Sequence, residues 1–492
     1  MLKKGEKVLL EDLLKNVSYE RIINEKVLQV SGLSADSKHV FDGDLFFCFK
    51  GAESDGHDYA TDALKQGAVA IICERELPIE ACQIIVKDAR KSMSEFARVF
   101  YGNPAEKMKI IAITGTNGKT TTSHMLASIF NEAGIPCALV GTLGVFYGNK
   151  EIEPSLTTPD PIFLHKIFAD MVDCGIEIVV MEVSAHAIFY DKIDGIKFEY
   201  CIFTNCTQDH LDFFKDMQTY SQVKKSLFSK ERCKTAIVNT DDEICASLYE
   251  SGVFGFGLEN PADVFAVNIR ESVTGSSFVL NLYDDLYDIN LYLTGRHNVY
   301  NAMAAASCAK LLGVETCVIA KGLENLKKVS GRLELVAHFN GADIFVDFAH
   351  TPDGLEKSLS SLKSHCKNRL ICVFGCGGNR EKQKRQLMGE ISGKLADFTV
   401  ITSDNPRYED PLDIIMQIEK GMRKVNKNYV IVVDREKAIS YSINILKKGD
   451  ILIIAGKGGE NYQEIMGVKH FYNDVSVIKE VINEQLGEKS EN

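Results

Sequence analysis

The stretch from Lys109 to Thr121, KIIAITGTNGKTT, limits this chain more than any other feature: an apolar run, two glycines, then the helical pattern SHMLASIFNEAG. A buried strand that ends in a glycine-rich turn and feeds a helix aims several backbone N–H groups, and the positive end of the helix dipole, at one anion. Gly115, Thr116, Asn117, Gly118, Lys119, Thr120 and Thr121 make the turn. Lys119 supplies a point charge for the outer phosphates of a nucleotide, and the Thr120 hydroxyl can ligate Mg²⁺. Ile113 stands where the longer GxxxxGK[ST] pattern has its first glycine, so this is the shorter GxxGKT form. Such turns serve switches, motors, transferases and ligases alike, so this one gives a nucleotide and no reaction.

Around it, strand-like and helix-like runs alternate over 492 residues, enough for several domains. Three segments are expected. Residues 1–104 carry DLFFCF, AVAIIC and CQIIVK between helices, and Asn103-Pro104 ends the last helix. Residues 105–330 carry IEIVVMEVS, YCIFTN and TAIVN at helix-length intervals, the pattern of a parallel sheet covered on both faces. Residues 263–294 alternate in period two and predict antiparallel hairpins, and HNVYNAMAAASCAKLLG predicts a helix. Residues 331–492 repeat the alternation with IFVDFAH, LICVFGCG, FTVITSD, YVIVV and ILIIAG, a separate doubly wound domain. The fold class is therefore α/β in three domains.

A net charge of −12 argues against a nucleic-acid or membrane-surface binder, since both ask for a basic face. The 14 cysteines include no CxxC pair and read as buried, reduced thiols of a cytoplasmic protein. The N-terminal stretch lacks the apolar core of a signal peptide, and no run reaches membrane-spanning length.

Further motifs follow in order: TTP (157–159), MEVSAHA (181–187), TNCTQDHLDF (204–213), YSQVKKSLF (220–228), GRHNVYNAMAA (295–305), SGRLE (330–334), DFAHTPD (347–353), GCGGNREKQKRQLM (375–388), SDNPRYEDP (403–411) and AGKGGENYQ (455–463). Over nearly its whole length the chain resembles the Mur ligases. That resemblance implies a domain for a UDP-muramoyl peptide, a central ATPase domain and a mobile, Rossmann-like C-terminal domain for an incoming amino acid. It also implies a reaction of peptidoglycan precursor synthesis. A peptide carboxylate attacks the γ-phosphate of ATP, and the amine then displaces phosphate from the acyl phosphate. Two anions must meet, so the site needs concentrated positive charge.

The resemblance assigns residues as well. Glu182 and His210 would hold divalent metal with Thr120, and Lys224 would be carbamoylated to N6-carboxylysine, turning a repelled ammonium into an anionic ligand. Lys225 is its neighbour and competitor for that register. His297 and Asn301, one helical turn apart, would serve the nucleotide with Arg332 and Asp347; Asn298 fits helix capping equally well. Ser34, Asp36, Ser37 and Lys38 match the uridine segment, and Thr157, Thr158, Ser184 and Lys192 the diphosphate and muramoyl peptide. The family usually has Arg at Lys38 and often at Lys192; Lys keeps the charge and loses the bidentate fork.

Asp404, Asn405, Pro406 and Arg407 form the DNPR segment that marks family members using meso-diaminopimelate, whose second carboxylate suits a fixed guanidinium. Lysine would place an ammonium there instead. Arg380, Gly456 and Glu460 match other contacts to the amino acid. Gly459 departs from the usual GKGHE. The partners implied are small molecules acting on a monomer. The competing readings are the lysine-adding ligase, a folylpolyglutamate-type ligase and a nucleotide-dependent switch.

Overall fold

The computed structural model describes residues 7–51, 54–153 and 156–490. The first six residues of the N-terminal stretch and the last two of the polar tail lie outside these. The chain forms two compact units: Met1–Thr114 with Ile135–Cys201 and Val223–Ala236, and Gly115–Gly134 with Ile202–Gln222 and Ile237–Asn492.

In the first unit, Gly32–Ser34, Asp44–Phe47, Ala70–Cys73 and Cys82–Ile85 pair in parallel, and Arg21–Ile23 closes the edge antiparallel. Asp44–Phe47, Ala70–Cys73 and Cys82–Ile85 are buried at every position, which is why they read as unbroken Val/Ile/Phe/Cys runs without alternation. The helix Ala89–Phe100 lays Met93, Phe96, Ala97 and Phe100 on this sheet. It starts at Asp88, whose carboxylate accepts the N–H of Arg90 and Lys91. Past Asn103, in the left-handed region at φ 51°, the chain turns into the strand Lys109–Thr114. Ile178–Glu182 pairs with it in parallel from Ile178 opposite Lys109 to Glu182 opposite Ile113, and Cys137–Gly141 lies on the far side. Gly141, Thr114 and Glu182 therefore share the carboxyl edge of a parallel sheet, where open α/β folds hold ligands.

In the second unit, the helix Lys119–Glu132 starts four residues before the SHMLASIFNEAG pattern. It packs on Arg296–Leu311 and Thr316–Asn325. The approach at Gly322 is so close that a Cβ there would stand 2.5 Å from Ile129 Cα. Val264–Ser272, Gly275–Leu282 and Asp285–Leu291 are the antiparallel strands that the period-two run predicts. The last sheet runs Glu334–Phe339, Ala342–Asp347, Ile451–Ala455, Leu370–Phe374, Phe398–Ile401, Tyr429–Ile431 in spatial order. All but the first strand are parallel. Two of its helices begin at side-chain caps, Thr351 and Asp410, each followed by Pro at the first helical position.

The 14 cysteines form no disulfide, and ten of them are buried. No helix among the described residues is long and apolar enough to cross a membrane.

Candidate active site

Gly115 and Gly118 both have positive φ, 153° and 87°. A Cβ on Gly118 would meet Asn301 Oδ1 at 2.5 Å, and one on Gly115 would meet Thr204 Oγ1 at 1.9 Å. Both positions therefore need glycine twice over, for torsion and for space. The turn is held from the TNCT segment. Asn117 N–H donates to Asn205 Oδ1 at 2.9 Å, Asn205 Nδ2 donates back to the Asn117 carbonyl at 3.1 Å, and Thr204 Oγ1 donates to that carbonyl at 2.6 Å. Thr116 Oγ1 donates to the Thr207 carbonyl at 3.0 Å. Lys119 Nζ folds over the turn onto the carbonyls of Gly115 and Thr116 at 2.7 and 2.9 Å. Thr121 is buried in the first turn of the helix.

The other nucleotide candidates of this unit divide into two groups. Asn301 accepts from Thr122 Oγ1 at 3.3 Å and donates to Asn298 Oδ1, while Asn298 Nδ2 donates to the Thr294 carbonyl. Asn298 thus ties the helix start to Thr294 and orients Asn301. Arg332 Nη2 donates to Thr120 Oγ1 at 2.9 Å, and its guanidinium lies over the Phe348 ring. The hydroxyl expected to face a cation here meets a guanidinium, and Arg332 must turn away for a cation to bind there. Asp347 is buried, and its oxygens accept from Leu333 N, Ala349 N and Ser358 Oγ, so it shapes the start of the DFAH loop. Burial pushes its carboxyl up, against the pull of Arg332. Burial and then the charge of Lys357 push the His297 imidazole down to about 4, leaving it neutral near pH 7.

His210 follows the strand Phe198–Phe203 and sits in the left-handed region, at φ 56°, just before the short helix Leu211–Phe214. Its Nε2 is 3.3 Å from Asp209 Oδ2. Burial alone would raise the Asp209 carboxyl, yet His210, Lys384 and His350 hold it down at about 2.

In the first unit, Glu182 ends its strand with Oε1 accepting from Thr142 N and Oε2 from Thr142 Oγ1, both at 3.0 Å. A Cβ at Gly141 would stand 2.2 Å from Oε1, so this glycine makes room for the carboxylate. Thr142 also meets Thr157 Oγ1 at 3.1 Å, and Thr158 Oγ1 donates to the Glu182 carbonyl. The Ser184 N–H donates to Thr158 Oγ1, and Ser184 Oγ caps the helix Ala185–Phe189. Glu182, Thr157, Thr158 and Ser184 thus form one hydroxyl-rich cluster. Lys192 pairs with Asp160 at 2.7 Å. Lys224 is buried on the helix Met217–Lys225, whereas Lys225 is half-buried.

Of the uridine candidates, Ser34 Oγ donates to the carbonyls of Asp36 and His39, Asp36 accepts Lys38 N–H, and the Ser37 carbonyl accepts from Gln66. The segment is a compact turn with the Lys38 side chain left outward.

Back in the second unit, the parallel register aligns Asp347, Ala455, Phe374 and Ile401 along one edge. From it leave the loops that carry Gly456–Glu460, Gly375–Arg380 and Thr402–Arg407. Lys457, fully buried, donates to Asn405 Oδ1 at 2.9 Å and to Glu460 Oε2 at 3.0 Å, and Asn405 Nδ2 donates to Glu460 Oε2 at 3.0 Å. Gly456 is required by its φ of 115° and by Asp404, whose Oδ2 would lie 2.5 Å from a Cβ. The Pro406 carbonyl packs where Gly378 leaves space. Arg407, at φ 52°, donates from Nε to Glu464 Oε2 at 3.1 Å and from Nη1 to the Gly378 carbonyl at 2.8 Å.

Sequence reasoning passed over Thr142, Asn205 and Glu464, which hold the assigned residues. Asn205 and Glu464 stood within or beside quoted motifs; Thr142 carried no signal.

Three family models cover the chain: the Mur ligase catalytic domain at residues 29–101, the middle domain at 113–309 and the glutamate ligase domain at 331–458. The UDP-N-acetylmuramoyl-L-alanyl-D-glutamate–2,6-diaminopimelate ligase 1 of Clostridium acetobutylicum is 41% identical over 488 residues, covering 97% of this chain and 99% of that one. The chain belongs to the Mur ligase family. The corresponding ligase of Clostridium perfringens is 40% identical over 96% of this Mur ligase and 99% of its own length. A solved structure of a UDP-N-acetylmuramoyl-L-alanyl-D-glutamate–2,6-diaminopimelate ligase, 30% identical, superposes with a TM-score of 0.68 over 98% of this chain and 100% of that one.

Proposed function

We propose that this Mur ligase joins meso-2,6-diaminopimelate to the D-glutamate of UDP-N-acetylmuramoyl-L-alanyl-D-glutamate at the expense of ATP, in cytoplasmic peptidoglycan precursor synthesis. The observation that carries the choice of amino acid is Arg407: a guanidinium fixed at two nitrogens, in a loop that leaves the carboxyl edge of a parallel sheet. The three linear segments, 1–104, 105–330 and 331–492, are proposed as the substrate, ATP and amino acid domains of a monomer.

The Gly115–Thr121 turn presents its N–H groups to the nucleotide phosphates, and Lys119 exchanges its two carbonyl partners for the transferring phosphate. Asn301, His297 and Arg332 flank the nucleoside. Ser34, Asp36, Ser37 and Lys38 take the uridine, and Thr157, Thr158, Ser184 and Lys192 hold the diphosphate and peptide. The glutamyl carboxylate attacks the γ-phosphorus, its bond to the β–γ bridging oxygen breaks, and ADP leaves. The amine then adds to the acyl carbon, phosphate departs, and the proton passes to solvent. Asp404, Asn405, Glu460 and Arg380 hold the amino acid so that this amine faces the acyl phosphate.

Among the described residues no cluster of three His, Cys, Asp or Glu side chains could hold a metal. The metal donors proposed from the family resemblance are Glu182, His210, the Thr120 hydroxyl and a carbamate on Lys224. The space kept by Gly141 around the Glu182 carboxylate fits the same role. Mg²⁺ bound by these groups would neutralise phosphate charge.

The test is phosphate release with ATP, the UDP-muramoyl dipeptide and each amino acid. Release is expected only with all three substrates, with diaminopimelate preferred over L-lysine. Arg407→Ala should lose ~30-fold to several thousand-fold in kcat/KM for diaminopimelate, as removal of one partner of a desolvated charge pair does. Preference of the wild-type enzyme for L-lysine would overturn the substrate and leave the ligase class intact.

A further inference from the structure

Arg407 does not hold its own position. Its backbone sits at φ 52°, a region that costs a non-glycine residue energy unless its surroundings impose it. The imposing element is the hairpin Tyr462–Ile465/Val468–Phe471. Arg407 N–H donates to the Glu464 carbonyl at 3.0 Å, Met466 N–H donates to the Arg407 carbonyl at 2.8 Å, and Arg407 bridges to Ile465. The Glu464 side chain completes this by taking Nε at 3.1 Å. With Nε on Glu464 and Nη1 on the Gly378 carbonyl, the guanidinium is held at two of its three nitrogens, and Nη2 donates to none of the described residues.

A second observation concerns charge. Loss of surrounding water and then the charge of Arg407 push the Arg380 guanidinium down, while Asp212 and Glu464 pull it up. Two guanidinium groups therefore share one neighbourhood, and Glu464, with only about a fifth of its side chain exposed, is the carboxylate that touches one and acts on both. Like charges so placed repel unless a counter-charge stands beside them.

We propose that Glu464 is a positioning residue for amino acid selection: it orients Arg407 and offsets the Arg380–Arg407 repulsion, so that Nη2 of the Arg407 guanidinium meets the distal carboxylate of the incoming diamino acid. This rests on the reading of Arg407 given above. Glu464 touches no reacting atom. Its loss weakens capture of the amino acid and leaves phosphoryl transfer alone.

The experiment is a double-mutant cycle on the full-length enzyme, with phosphate release measured against diaminopimelate concentration. Glu464→Ala should raise KM for diaminopimelate ~10-fold or more, with kcat within about twofold, because a charge-assisted contact is lost from binding alone. KM for ATP and for the UDP-muramoyl dipeptide should not move, which also reports an intact fold. Glu464→Gln, still able to accept from Nε, should fall between wild type and Ala. In an Arg407→Ala background, Glu464→Ala should add less than about twofold, since the coupled partner is already gone. A full, additive loss in that background, or a Glu464→Ala enzyme with wild-type KM, would overturn the proposal. If Arg407→Ala itself leaves diaminopimelate use unchanged, the reading of Arg407 fails instead, whatever Glu464 does.

Discussion

Lys224 is buried, and the carbamate proposed for it would turn a cation into an anion on the same stem. Lys225 lies about 100° around the helix and is half-buried, as a solvated helix charge would be. Lys224→Ala should be nearly inactive and partly rescued by added small carboxylates, while Lys225→Ala should keep most of its rate; a steady-state assay with and without acetate decides. If Lys225→Ala is the dead variant, the register is off by one. Burial also changes the reading of Arg385, which the sequence offers as one more charge in GCGGNREKQKRQLM. It is fully buried, and Glu409 takes both its terminal nitrogens at 2.8 and 2.9 Å. The hydrogen bonds from Arg385 hold the Glu409 carboxyl down at about 2. Glu409→Ala strands a buried guanidinium and should cost ~3–5 kcal/mol in denaturant unfolding.

The phosphate turn shows how an element depends on one outside its own sequence. Its glycines are visible in the sequence, but the Asn205 amide that clamps Asn117 from both sides comes from a segment 88 residues away. Asn205→Ala should leave the helix Lys119–Glu132 in place and loosen the turn, raising KM for ATP by about 10-fold through two lost hydrogen bonds; ATP-dependent rates check it. The same contrast governs what was legible. The buried parallel strands could be read because continuous apolar runs leave few alternatives. The edge strand Glu334–Phe339 and the hairpin Tyr462–Phe471 could not, since ELVAHF and YQEIMGVKHF carry neither a full apolar run nor clean alternation. That hairpin is mostly exposed, and it is where Glu464 resides. The residue that fixes Arg407 was therefore hidden by the weakest strand signal of its segment.

For the whole molecule, reading in line gives three segments, whereas packing gives two units because the chain leaves the first after Thr114, returns at Ile135 and again at Val223. Contacts between residues distant in sequence set that grouping, and they carry no local pattern. Global stability holds a similar hidden term at His165, on the helix Pro161–Asp173 that packs on Ala89–Phe100. The ring is fully buried, edge-on to Phe168, and neither nitrogen has a hydrogen-bond partner among the described residues. Burial, then the charge of Arg98, pushes it down from 6.5 to about 3. Above pH 6.5 the imidazole is neutral in folded and unfolded chains alike, and it contributes no pH dependence. Below that, the unfolded chain takes up a proton that the folded one refuses, so stability falls as pH drops from 6.5 toward 3. The loss should be on the order of 3 kcal/mol by pH 4. His165→Leu keeps the volume and removes both unpaired nitrogens, so it should be at least as stable at pH 7. Urea unfolding of both proteins at pH 7, 5.5 and 4 is the measurement: the wild-type midpoint should fall more steeply, and parallel profiles would show that His165 stays unprotonated in the unfolded chain or accepts a proton when folded.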